Sequence, residues 1–247
     1  MRLLRSGSTR GGERTLPLTL ALWRPFPQRG GGARAGRVGY DAARPREGPG
    51  VTDQDRERWN RRYADRYQLR DYRWEPARWL LEIAERLRSQ SPGLRALDLA
   101  CGGGRNSVWL AERGWSVDAW DLSEVGLDIL RRKLDEQATA RVPLDVTPRQ
   151  VDLDDATLPP ARYGLILNML FLDRRLWPDM ADGLTPGGLL AFETFVSGEP
   201  GSRPGVSPDH LLQPGELRAA FEGLGLQTLS YDEDADRATA RLLSVRS

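Results

Sequence analysis

Lysine, cysteine and histidine are nearly missing from this chain. Of its 36 basic residues all but Lys133 are arginine, and Cys101 and His210 have no companions of their kind. A single cysteine excludes a disulfide framework and a structural zinc site. A single histidine leaves no catalytic triad in view, so a titratable imidazole base would have to be His210. Long apolar runs are missing as well: residues 16–23 form an apolar piece too short for the ~20 residues of a membrane span. The preference for arginine over lysine is the bias of a GC-rich genome.

Charge divides the chain in two. Residues 1–50 hold ten arginines against Glu13, Asp41 and Glu47, a net +7 in a chain whose total is +1. Glycine and proline punctuate this segment and no helical or strand period survives, so a disordered leader is expected. It reads as an arginine-rich targeting peptide, as a nucleic-acid-binding arm, or as translated upstream sequence with the natural start near Val51; the last is preferred. Residues 51–247 form the second domain, long enough for one α/β core. Its acidic balance disfavours nucleic acid as a partner. A cytoplasmic monomer or homodimer with no membrane association and no metal is the expectation.

What is present is concentrated between Arg95 and Asp121, RALDLACGGGRNSVWLAERGWSVDAWD. An apolar strand ends at Asp98-Leu99-Ala100, a turn of three glycines follows, and Val108 to Ala111 has helical character. Gly114 is a plausible helix stop. A second strand from Trp115 to Trp120 then ends on Asp121. Glycine at Gly102 and Gly104 lets backbone pass close to a ligand or take positive φ. An acid about 20 residues after such a turn is the ribose-binding arrangement of nucleoside cofactors. That much suits a dinucleotide too, although Ser107 stands where the dinucleotide fingerprint has its third glycine. Asp98 separates the two, because a carboxylate beside the turn opposes a pyrophosphate and suits a sulfonium or ammonium group.

The remaining pattern alternates strands and helices. Helices are predicted over residues 53–67, 76–87, 124–137 (capped by Ser123), 176–184 and 214–223. Strands are predicted near 149–151, at 165–169 and at 189–195, with a closing hairpin of 226–231 and 239–245. Trp59, Tyr63 and Tyr67 share one face of the first helix, where Trp59 and Tyr67 are expected to dock it on the core. The Gly/Pro/Ser stretch 196–213, which holds His210, is a candidate cover loop. Cys101 reads as a small buried residue.

DLACGGGRNSVWLAERGWSVDAWDLS resembles motif I and the following acid of class I S-adenosyl-L-methionine-dependent methyltransferases. The CGGGRNS form is similar to the tellurite-resistance-type, thiopurine-methyltransferase-like small-molecule branch. Trp59-Asn60-Arg61-Arg62-Tyr63, Val151-Asp152-Leu153, YGLILNMLFLDR from Tyr163 and LTPGG from Leu184 resemble further motifs of that branch, covering roughly residues 55–245. After Tyr231 the pattern departs from it, with no histidine–arginine pair in the tail.

The resemblance implies a doubly wound, mostly parallel seven-stranded sheet with a Rossmann-like fold and an antiparallel C-terminal hairpin. It implies S-adenosyl-L-methionine as cofactor and a small-molecule methyl acceptor. Cofactor contacts are then expected from Asp98, Ala100, Gly102, Gly104 and Arg105, and from Asp121 and Leu122 at the ribose and adenine. Asp152 and Leu153 would meet the base, and Asn168 and Met169 would border the methyl group. Arg62 or Tyr63 would reach the methionine carboxylate. Arg105 pairs with Asp98 or contacts a substrate anion; the residues alone leave both open. His210 is the candidate catalytic base. The competing readings are a nicotinamide-dependent oxidoreductase and a non-catalytic S-adenosylmethionine-binding module.

Overall fold

A computed structural model describes residues 53–68, 72–88, 95–197 and 207–247. The expected disordered leader and the middle of the expected cover loop lie outside these. The described elements run α1 (Asp53–Gln68), α2 (Arg78–Glu82), α3 (Ala84–Arg88), β1 (Arg95–Leu99), α4 (Arg105–Ala111), β2 (Ser116–Asp121), α5 (Glu124–Thr139) and β3 (Val146–Gln150). There follow β4 (Tyr163–Met169), α6 (Trp177–Gly183), β5 (Leu184–Phe195), α7 (Glu216–Gly223), β6 (Leu226–Asp234) and β7 (Thr239–Arg246).

The strands form one seven-stranded sheet in the order β3-β2-β1-β4-β5-β7-β6. The five strands from β3 to β5 are parallel, and β7 runs antiparallel between β5 and β6. The doubly wound sheet with its C-terminal hairpin is therefore the architecture expected from the sequence. Strand order reverses between β1 and β4, and a crevice opens above the carboxyl ends of those strands. β1 and β4 are buried almost throughout, as parallel strands covered by helices on both faces should be. One face packs Trp177, Phe192 and Phe221 into a cluster with ring centroids 5.5–6.4 Å apart. The other packs Trp79, Leu80, Leu165 and Leu167 beneath α2 and α4.

Three elements differ from expectation. The helix predicted over 76–87 is interrupted at Ile83 (φ −94°, ψ 0°), giving two short helices. β3 begins earlier, at Val146, with Pro148 inside it; the strand lies at the sheet edge, where a missing N–H is tolerated. α1 is a 16-residue helix with no buried residue. Trp59 and Tyr67 are 36% and 38% exposed and do not dock it on the core. The helix is instead held through Asn60, whose Oδ1 accepts from Ser123 Oγ at 2.7 Å and Val125 N at 3.4 Å.

Away from the crevice, Asp118 anchors β2 to its neighbours. It is 1% exposed and takes a two-pronged contact from Arg95 at 2.6 and 2.7 Å, plus the Tyr163 hydroxyl at 3.1 Å. Burial would raise its carboxyl pKa, but the Arg95 fork outweighs burial and holds it below the usual range. The contribution to stability is thus present above the ordinary carboxylate pKa and is lost as pH falls through the lowered one. Replacing Asp118→Ala strands a guanidinium and a phenol. It should destabilise the fold by about 2–3 kcal/mol, less than a fully buried pair because Arg95 reaches solvent. Urea unfolding at neutral pH measures this, and the gap between variant and wild type should narrow under acid.

Candidate active site

The glycine turn departs from β1 through Ala100, which adopts φ +52°, a left-handed conformation costing a non-glycine residue roughly 1–2 kcal/mol. Such strain persists where surrounding structure enforces it, typically at a working site. The enforcing contacts lie on each side of the turn. Cys101 N donates to Trp120 O at 3.0 Å, and Gly102 N (φ +58°) donates to Asp121 Oδ2 at 2.7 Å. Gly104 (φ +77°) then caps the start of α4.

Asp121 is the junction of the site. Its Oδ1 accepts from Ser123 N at 2.7 Å while Oδ2 holds Gly102. Burial raises its pKa and the two N–H donors oppose the rise. Each carboxylate oxygen keeps a free lone pair, and the residue forms part of a cavity wall. Ser123 also caps α5, accepting from Gly126 N at 3.1 Å.

That cavity has a volume of about 530 Å³. The turn supplies Ala100 and Cys101, β2 ends in Asp121 with Leu122 just after it, and Leu153 and Met169 close the far side. Arg62 and Tyr63 of α1 form the outer wall, with Arg105 at the start of α4. All of these but Cys101, eight residues, were nominated from the sequence. Asp98, Gly102, Gly104, Asp152, Asn168 and His210 are not on the wall.

Asp98 is 1% exposed beneath the turn and accepts from Ser107 Oγ at 2.6 Å. Arg105 makes no ion pair with it. Burial pushes the Asp98 carboxyl up to about 7, with the Ser107 hydrogen bond and the charge of Arg105 pulling the other way. The residue supports the turn from beneath. Asp152 accepts from Asp154 N at 3.0 Å within its own loop. Asn168 is fully buried and donates to Phe171 O at 2.8 Å, bracing the chain after β4. His210 sits in an exposed single turn, Pro208–His210, away from the cavity.

Sequence reasoning missed Tyr72 and Phe171, and gave Trp59 a core role. All three line the cavity. Trp59 stacks on Tyr63 at 6.2 Å, with Arg62 over its ring at 5.1 Å. A Cβ at Gly102 would collide with the Tyr63 hydroxyl, and one at Gly103 with the Tyr72 hydroxyl. Burial raises both phenols well above their ordinary pKa, keeping them neutral donors. The closely spaced aromatics of W-x-x-x-Y and Y-x-W were the available signal. Cys101 is buried as expected and burial raises its thiol pKa, so it is a weak nucleophile.

The residues fit a nucleoside cofactor. The volume suits a ligand of that size, Asp121 offers acceptors for ribose hydroxyls, and Gly103 brings Cβ-free backbone to the wall. The rim guanidinium of Arg62 offers a partner for a carboxylate. Among the described residues no three His, Cys, Asp or Glu side chains are placed to share a metal ion, and no helix is long and apolar enough to cross a membrane.

Comparison with known proteins agrees. A "Ubiquinone biosynthesis O-methyltransferase" of Coxiella burnetii is 30% identical over 108 residues, which is 42% of this chain and 44% of that protein. The chain thus aligns with less than half the length of such curated relatives. The solved structure of TehB from Haemophilus influenzae superimposes with a TM-score of 0.57 at 20% identity, covering 67% of this chain and 62% of that one. An S-adenosylmethionine-dependent methyltransferase from Mesorhizobium loti gives 0.52 at 22% identity, covering 66% and 97%. The fold places the chain in the structural class of these methyltransferases. Within that class, the family of tellurite resistance protein TehB matches residues 63–235, and the chain belongs to it.

Asp98 generates a test. Its folded pKa near 7 lies above the unfolded value, so its stability contribution is complete in acid and is lost as pH rises toward 7. Asp98→Asn should therefore raise the melting temperature of the ligand-free protein relative to wild type at about pH 8, with the advantage shrinking toward about pH 5. A pH-independent difference would show that the buried carboxyl does not titrate in this range.

Proposed function

We propose that this chain transfers a methyl group from S-adenosylmethionine to a small-molecule acceptor. The observation that carries this is the Gly102–Asp121 hydrogen bond, which ties the glycine turn to a cavity-wall carboxylate suited to ribose hydroxyls. When bound, the cofactor supplies an electrophilic methyl carbon whose bond to sulfur breaks as the acceptor's lone pair bonds to it. Little acid–base work is then left to the protein, whose task is alignment and exclusion of water.

The chain's own groups divide that task. Asp121 and Leu122 hold the nucleoside end, with Leu153 against the base. Arg62 and the Tyr63 and Tyr72 hydroxyls hold the methionine end. Met169, Leu170 and Phe171 make the far wall apolar, which suits a nucleophile that is already anionic or easily deprotonated, such as a thiol, a selenol or an oxyanion. An acidic phenol, in keeping with the O-methyltransferase name of the Coxiella relative, fits the same wall. His210 as a general base requires the 207–210 turn to fold inward, because it faces solvent.

Titration calorimetry of S-adenosylmethionine and NADH against the full chain tests the cofactor end. S-adenosylmethionine should bind and NADH should not. Asp121→Ala should weaken binding by about 1–3 kcal/mol, roughly 5- to 150-fold. Mass spectrometry of a thiol, selenol and phenol panel, with demethylated cofactor as the common product, tests transfer. Cofactor binding with no turnover across the panel would favour a non-catalytic binding module.

A further inference from the structure

A second cavity of about 760 Å³ adjoins the first, and Met169, Leu170 and Phe195 line both. Beyond this apolar strip the second cavity turns to charge, and its outer arginines are answered by acids. Arg241 binds Glu193 at 2.8 Å, Arg78 lies 3.3 Å from Glu82, and Arg237 lies 3.5 Å from Asp234. Arg105 also reaches both cavities, but its charge bears on Asp98 and its place is beside the glycine turn. The strip itself has no such partner, and Leu170 is its most exposed member at 46%.

Leu170 stands in the bend directly after β4 with φ +65°. Leucine rarely takes that left-handed conformation, which glycine and asparagine adopt at less cost. The bend is enforced from two sides. Leu170 N donates to Glu193 O at 2.7 Å, and Asn168 Nδ2 donates to Phe171 O at 2.8 Å. Glu193 is in turn fixed by Arg241 from β7. Of the left-handed non-glycine residues among those described, only Ala100 and Leu170 line the cofactor cavity. A single exposed leucine is ordinary. One kept on a strained backbone, in a continuous apolar wall between two cavities, marks a ligand contact.

We propose that Leu170 selects the methyl acceptor, and that the acceptor is an organic molecule with an apolar body. This rests on the methyl-transfer reading above and names its substrate class. The nucleophile enters the cofactor cavity past Met169, while the body lies on Leu170 and Phe195 and extends into the second cavity. A small, strongly hydrated inorganic oxyanion would gain nothing from that strip. An aryl or alkyl group laid on it leaves water, which is favourable in proportion to the area buried, and the second cavity has the volume of an organic ligand. The strained bend is what places the Leu170 side chain at the junction, with Glu193 and Arg241 holding it from behind.

The test uses 2-naphthalenethiol and 2-mercaptoethanol, which share a thiol and differ in the body attached to it. Calorimetry measures each against the full chain saturated with S-adenosylhomocysteine. Leu170 lines the cofactor cavity, so every variant is first titrated with S-adenosylhomocysteine, and the ratio of the two thiol affinities is the readout. The wild type should prefer the aryl thiol by at least about tenfold. Leu170→Asn, which suits the left-handed backbone but is polar, and Leu170→Ala should each cut that preference by about fivefold or more. Thermal unfolding of the ligand-free protein gives a second readout: Leu170→Gly should melt above Leu170→Ala, the reverse of the usual order. A preference that survives both Leu170→Asn and Leu170→Ala, a parallel loss of both thiols, or wild-type binding of neither or of both equally would overturn the assignment, as would Leu170→Ala melting above Leu170→Gly. Failure of the wild type to bind S-adenosylhomocysteine at all would instead remove the methyl-transfer reading.

Discussion

The Asp121 carboxylate, held between two backbone N–H groups, is the constraint on which the rest of the site depends. One oxygen takes Gly102 and fixes the glycine turn; the other takes Ser123 and fixes the entry to α5. The Ser123 hydroxyl donates a hydrogen bond to Asn60, which brings in α1 and with it Arg62 and Tyr63. A single buried acid thereby sets the relative positions of β1, β2, α5 and the outer wall. A buried carboxylate would be costly alone, and the two donors make it tolerable. The residue also lines the cavity, so what organises the fold here is also placed to meet a ligand.

Much of this was legible in the sequence because local chemistry is dense there. The alternation of buried strands with helices gave the doubly wound sheet, and Ser123 announced a helix cap. The glycine run and the spacing to Asp121 marked the turn and its acid. What was not legible depended on distance through space. Asp98 looked like a group beside a ligand, yet β1 carries it beneath the turn to Ser107, so the charge argument that singled it out works through the backbone. Tyr72 lies thirty residues before the glycines it covers, and no local pattern connects them. Trp59 read as a core residue because its helical spacing is that of a docking face, whereas it stays exposed and forms part of the cavity wall.

The two cavities differ in how they are made. The cofactor cavity is backbone-rich, built from a turn, strand ends and two phenols, and its demands are those of a constant ligand. The neighbouring cavity is built from long side chains on four different elements, and its character is set by arginines whose partners are mostly supplied. Such a wall is open to substitution without disturbing the turn. This is the usual division in folds where a fixed scaffold carries variable chemistry.

β7 enters the sheet between β5 and β6, not at its edge, and it carries Thr239 and Arg241 into the second cavity. The order of synthesis therefore separates the two halves of the site in time. Every residue on the cofactor cavity wall up to Phe171 has left the ribosome before residue 239 is made, and domains acquire structure from the N-terminal side as they emerge. During that interval β5 has no antiparallel neighbour, and its unpaired side is a template for another strand. The cavity beneath the glycine turn can thus take shape before this exposure ends, whereas the second cavity exists only after the last described strand has slotted home.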